Sequence, residues 1–280
     1  MISYPLAVGT QQTRVLEAGA GNRHVVLVHG TGGRADRWIR NVDALAAAGY
    51  HAWAMDLPGH GFASKGPGVA CSVPAYREFL GGFLDAAGID RACIVGTSLG
   101  GHVVASYALQ NAQRVRGVAL VGSMGLVPIG DEARGRIQVA ANNQTKEGVA
   151  TKMQRVIFDP ALVTPEMLEE EWRINNSAGA KESFAALGSY IAADLDKEVV
   201  GEALAKADFP VLLVWGEQDK TVAPAVGQAV HQLVPHSKLV LLADAAHTAY
   251  YERADDFNRV LVDFMEGRAG AYRAPGVTWS

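Results

Sequence analysis

Residues 96–100 read Gly-Thr-Ser-Leu-Gly, between an apolar run at 92–95 and a helix-like stretch at 101–110. A glycine–x–serine–x–glycine turn that carries a strand into a helix has few ways to fold. Ser98 must take a strained backbone conformation, and side chains at 96 and 100 would collide with neighbouring chain. The turn lifts the Ser98 hydroxyl to the tip of a sheet, facing the first amides of the next helix. The motif therefore predicts a nucleophile, and a sheet with its helix to hold it.

The rest of the chain supplies that sheet. Short apolar runs at 25–28, 51–55, 92–95, 118–121, 211–215 and 238–242 alternate with amphipathic segments at 42–48, 74–87 and 257–265. The alternation predicts an α/β fold, with a mostly parallel central sheet flanked by helices. From about 125 to 207 no strand pattern appears, only helical segments rich in alanine, glutamate and methionine. So long a span is not a single crossover. The expectation is a core built from residues 1–124 and 208–280, with 125–207 inserted as a helical cap, or lid. Such a cap would cover the C-terminal edge of the sheet, where ligands of open α/β folds bind. The tail from 267 to 280 reads as irregular.

Composition narrows the partners. With 49% hydrophobic residues in 280 and a formal charge of −4, the chain suits a soluble globular protein without a basic field for nucleic acid or anionic membrane. No apolar run approaches the ~20 residues that cross a bilayer. The N-terminus lacks a basic patch followed by an apolar segment, so a cytoplasmic location is expected. Cys71 and Cys93 form neither a disulfide framework nor a metal-ligand spacing, and no His-Glu-x-x-His pattern occurs. The expected partner is a small-molecule substrate, with no cofactor and no metal. Assembly into a homo-oligomer stays open.

A serine hydroxyl needs a base. His247 follows the last predicted strand and is the candidate; the other histidines flank strands, sit on helices or lie in glycine-rich loops. Asp219, in the loop after the strand at 211–215, can orient it, with Glu217 as the local rival. This gives the order serine, aspartate, histidine along the chain. A developing oxyanion needs two N–H donors. Leu99 supplies one, and the loop His29-Gly30-Thr31-Gly32-Gly33 is expected to supply the other. That loop lacks the lysine and glycine register of a phosphate cradle.

Together with Asp56-Leu57-Pro58-Gly59-His60-Gly61, these elements resemble the α/β-hydrolase superfamily over almost the whole chain. The resemblance implies a Ser98–Asp219–His247 triad and an oxyanion hole from the Thr31 and Leu99 amides. Residues 158–168 and 252–264 are similar to the cap and final helix of the meta-cleavage-product hydrolases, which split carbon–carbon bonds in dienoates. The departures from that group are specific. Gly33 stands at the proline position of the oxyanion loop, Thr97 at the elbow asparagine, and Thr248 at the tryptophan after the catalytic histidine. The cap arginine that grips the dienoate aligns with Glu171, with Arg173 two residues on as a substitute.

The expected substrate pocket comprises Gly30, Gly32, Met124, Met153, Phe158, Trp172, Arg173 and Thr248. The leading expectation is a serine hydrolase of a small ester, lactone or related acyl compound, because Glu171 would repel a dienoate carboxylate. A carbon–carbon bond hydrolase of a dienoate or β-diketone is the alternative. A lyase, a transferase, a cofactorless oxygenase or a non-catalytic receptor on the same scaffold ranks below both.

Overall fold

The computed structural model describes residues 1–280 and opens with a hairpin, β1 (Ile2–Val8) and β2 (Gln11–Ala18). Then come β3 (His24–Val28), helix α1 (Val42–Ala47), β4 (His51–Met55), α2 (Val73–Ala86), β5 (Ala92–Thr97), α3 (Leu99–Gln110) and β6 (Val115–Val121). After a long insertion follow β7 (Val211–Gly216), α9 (Pro224–Leu233) and β8 (Lys238–Leu242). The chain closes with α10 (Ala249–Glu252), α11 (Ala254–Met265) and β9 (Val277–Trp279). The nine strands form one sheet in the order β1-β2-β4-β3-β5-β6-β7-β8-β9. The pairs from β4 through β8 are parallel, and the hairpin and β9 close the two edges antiparallel.

Strands covered on both faces must be apolar throughout, and their alternate residues serve opposite sides. Val26 and Val28 join one core with Leu80 and Val103 of α2 and α3, while Val25 and Leu27 join another with Leu45 and Phe257 of α1 and α11. Sequence periodicity located the six buried strands and missed the edges. β1 is largely exposed or half-buried, which leaves it no apolar face to read. The tail expected to be irregular contributes β9, a strand of only 3 residues.

Between β6 and β7 the chain forms α4 (Asp131–Asn142), α5 (Lys146–Val156), α6 (Pro165–Asn175), α7 (Ala180–Asp194) and α8 (Gly201–Leu204). Capping sets their starts: Thr145 Oγ1 accepts from Gly148 N, and Thr164 Oγ1 from Met167 N with Pro165 opening α6. Helices α5 and α6 share a small core of Val149, Met153 and Ile157, against which Trp172 packs. Leu187 and Ile191 of α7 belong to the larger core, so the insertion is seated on the sheet domain. No helix is long and apolar enough to cross a membrane.

Candidate active site

Ser98 sits between β5 and α3 with φ 54° and ψ −120°, one of two non-glycine residues with positive φ. The neighbouring chain holds it there: Ser98 N donates to Val121 O (2.9 Å), and Ser98 O accepts from Met124 N (3.3 Å). A Cβ on Gly96 would lie 2.3 Å from Gly100 O, and one on Gly100 would lie 2.3 Å from His29 O. Both positions exclude any side chain, because backbone cannot yield at that distance. Leu99 opens α3, where the first amides have no acceptor within their own helix.

Asp219 is fully buried. Its Oδ1 accepts from Thr221 N (2.7 Å) and Val222 N (3.0 Å), leaving Oδ2 to accept from His247 Nδ1 (2.7 Å). The carboxylate is acceptor-only, so Nδ1 carries the proton and Nε2 keeps its lone pair, the form a base requires. Glu217 is exposed and makes no bond to the histidine. Gly122 lies beside this pair; a Cβ there would stand 3.1 Å from both Asp219 Oδ2 and His247 Nδ1.

The loop after β3 is set by His29, which is completely buried. Leu57 N donates to His29 Nε2 (2.9 Å) while Nδ1 donates to Gly30 O (2.8 Å), which locks one neutral tautomer. Burial drives His29 down to about 4, and burial together with His29 drives the adjacent His60 to about 3. Gly30 passes so close to the nucleophile that a Cβ would lie 2.7 Å from Ser98 Cβ. Gly33 N closes the turn onto Gly30 O (3.0 Å). His102, on α3, donates from Nε2 to Glu198 O (2.7 Å) and so ties α3 to the insertion.

Ser98 and His247 line a cavity of about 850 Å³ that runs under α4 and α5, and an adjoining chamber of about 60 Å³. Gly32 borders both spaces, Met124 the larger one, and Gly30, Met153 and Thr248 the smaller. Three expected pocket residues do not border either space. Phe158 is 46% exposed, and Trp172 packs into the α5–α6 core beneath Lys146. Arg173 is 71% exposed and donates to Glu169 (2.8 Å). The reason is helical geometry: two residues along a helix turn a side chain by ~200°, so when Glu171 points inward Arg173 points out.

Glu171 is not the bare repelling charge its place in the sequence suggested. It is fully buried and accepts from Arg34, from Arg37 (2.7 Å) and from Lys152 (2.5 Å). Burial alone would raise its pKa; Arg37, Lys152 and Arg34 outweigh that and hold it well below the usual carboxylate range. Lys152 and Arg37, which border the spaces beside Ser98, carry no motif that sequence reading could have picked out. They matter only because folding brings α5, α6 and the segment after β3 together.

A family model described as alpha/beta hydrolase fold matches residues 23–254. The chain belongs to the α/β-hydrolase fold family. As an α/β hydrolase it is an enzyme of that type, and the proteins it is similar to carry names of more than one chemistry. It is 34% identical over 259 residues, 91% of this chain and 67% of the relative, to the "dihydrolipoyllysine-residue acetyltransferase component of acetoin cleaving system" of Cupriavidus necator. It is 30% identical over 261 residues, 89% of each chain, to a "2-hydroxy-6-oxononadienedioate/2-hydroxy-6-oxononatrienedioate hydrolase" of Burkholderia vietnamiensis. Among solved structures, a meta-cleavage product hydrolase from Pseudomonas fluorescens superposes with a TM-score of 0.84 and 25% identity, covering 94% of this chain and 97% of that one.

Proposed function

We propose that this α/β hydrolase cleaves a carbon–carbon bond next to a carbonyl in a small carboxylated substrate of the dienoate or β-diketone type. Ser98, Asp219 and His247 form the catalytic triad in this reading. Ser98 Oγ, or a water in its place, adds to the carbonyl while His247 Nε2 takes the proton; Asp219 fixes the tautomer and faces the cation that forms. The oxyanion would be met by the Thr31 and Leu99 amides. His247 then returns a proton to the carbon that leaves, and water releases the acid. A carbanion can leave only if conjugation spreads its charge, which is why the substrate must be a vinylogous or β-dicarbonyl compound.

The observation that carries this reading is the kinship, over 89% of each chain, to a dienedioate hydrolase, together with the likeness to a meta-cleavage product hydrolase. The paired state of Glu171 supports it, since the charge that argued for neutral esters is already met by three cations. Acyl transfer or ester hydrolysis is the second reading, favoured by the 34% identity to an acetyltransferase component. The test is to compare kcat/KM on a phenyl-substituted ring-fission dienoate with kcat/KM on short-chain aryl esters. Dienoate turnover that exceeds ester turnover and disappears in Ser98→Ala is expected. Ester turnover a hundredfold greater, with the dienoate untouched, would overturn the assignment.

A further inference from the structure

The larger cavity is lined by 25 residues that include Arg136, Lys152 and Arg155, and no aspartate or glutamate. Residues 148, 151, 152, 155 and 156 all border it, the i, i+3, i+4, i+7, i+8 stripe of a single face of α5. Lys152 and Arg155 therefore present their charges along one wall. Lys152 also borders the small chamber with Ser98 and His247, which puts it at the reacting end.

Two donors of the Lys152 ammonium are accounted for. Nζ donates to Gly32 O (3.1 Å) in the loop beside the nucleophile and to Glu171 Oε1 (2.5 Å). An ammonium has three, so one is left for a ligand. Glu171 does not neutralise this charge, because its other oxygen is shared by Arg34 and Arg37. Arg34 is also met by Asp36 (2.7 Å) and Glu170 (2.9 Å), so the cations that border the space beside Ser98 are Lys152 and Arg37, with no carboxylate in its lining, and the Thr31 hydroxyl that also borders it is buried with no partner. Burial pushes Lys152 below the ordinary lysine value, with Glu171 opposing the shift and Arg37 adding to it. A bound anion would oppose it further.

We propose that Lys152 is the substrate-anion anchor of this enzyme, held charged from behind by Glu171, and that the cavity selects substrates carrying a carboxylate near the scissile carbonyl. Lys152 is a specificity-determining residue placed on α5, and Arg155, about 4.5 Å further along the same helix face, extends the cationic wall toward solvent. The inference rests on Ser98 as nucleophile, but not on which bond is broken.

The test uses two 4-nitrophenyl esters of similar length, the glutarate monoester with a free carboxylate and the neutral valerate. The wild type is expected to favour the anionic ester in kcat/KM. In Lys152→Met that preference should fall about tenfold to a hundredfold, the range for a charge-assisted hydrogen bond, mainly through KM. Lys152→Arg should restore most of it, and Arg173→Gln, outside the cavity, should leave it alone. A ratio unchanged in Lys152→Met overturns the proposal.

Should that variant not fold, the wild type gives its own answer through competitive inhibition by 4-phenylbutyrate and by the matching amide. Tighter binding of the acid, weakened by salt, is expected, and equal binding overturns the proposal. Dienoate cleavage without an anion preference would sink this inference alone. An anion preference without dienoate cleavage would sink only the carbon–carbon reading.

Discussion

Residue 122, just after β6, has no side chain, so the acid paired with His247 cannot come from that position. Any Cβ at 122 would press on both Asp219 Oδ2 and His247 Nδ1, so the partner must come from the loop after β7. Asp219→Asn would replace an acceptor with an amide that turns the imidazole to its other tautomer, and kcat should fall roughly a thousandfold or more. Glu217→Gln, at an exposed position without contact to the ring, should stay within about twofold of the wild type. Steady-state kinetics on the two purified variants check this, and the reverse ranking would reassign the acid. These residues were legible in the sequence because each follows an apolar strand in a fixed order. Arg173 was misread for a physical reason: alignment slack of two residues is harmless in a loop but reverses the face of a helix. Lys152 was invisible, since an isolated lysine on an amphipathic helix looks like a solvated charge until Glu171, 19 residues away in sequence, meets it.

The elements that carry these residues are tied at one seam. The end of α5 and the loop bearing His247 are joined by Thr248 N and Thr248 Oγ1, which both donate to Val156 O (3.1 Å each). Glu252, on α10, accepts from Ala246 N (2.8 Å) in the histidine loop and from Phe158 N just beyond α5. Burial raises the Glu252 carboxyl, while the amides of Phe158 and Ala246 pull it the other way. One carboxylate thus holds the histidine loop and the insertion together. Glutamine offers only one oxygen, so Glu252→Gln must release one of these amides. The expected result is a kcat lowered about tenfold with a smaller change in KM, and faster hydrogen exchange at Ala246 or Phe158. Unchanged kcat and unchanged exchange would mean that the seam does not position His247. Periodicity predicted the buried strands that set up this seam, yet not the seam itself. Position 248 is a tryptophan in the hydrolases this sequence resembles, and nothing in the sequence shows that a threonine there would bond to a helix 92 residues earlier.

The molecule as a whole carries a stability dependence on pH that follows from its buried histidines. His29 and His60 lie side by side, ring centroids 5.1 Å apart, with His60 also edge-on to Phe184 of the insertion at 5.4 Å. Folding lowers them from 6.5 to about 4 and about 3. Above pH 6.5 both folded and unfolded chains keep them neutral, and their contribution is undiminished. As pH falls below 6.5 the unfolded chain takes up protons that the folded chain refuses, so stability drops until the folded values are reached. Glu171 acts in the same direction, because the unfolded carboxyl accepts a proton below its ordinary 4.5 while the folded one resists. At pH 5 only the histidines have begun to act, at about 2 kcal/mol each. For a chain of this length that corresponds to a melting temperature lower by roughly 10 °C than at pH 7. Thermal melts across pH 7 to 5 measure it directly. His60→Gln, whatever it costs at neutral pH through lost packing, should shrink the pH-dependent part of the drop and leave the share of His29, together with that of His102 and His24, which burial also lowers. A melting temperature that is flat over this range, or a slope that the substitution leaves untouched, would mean that these imidazoles are charged or solvated in the folded protein.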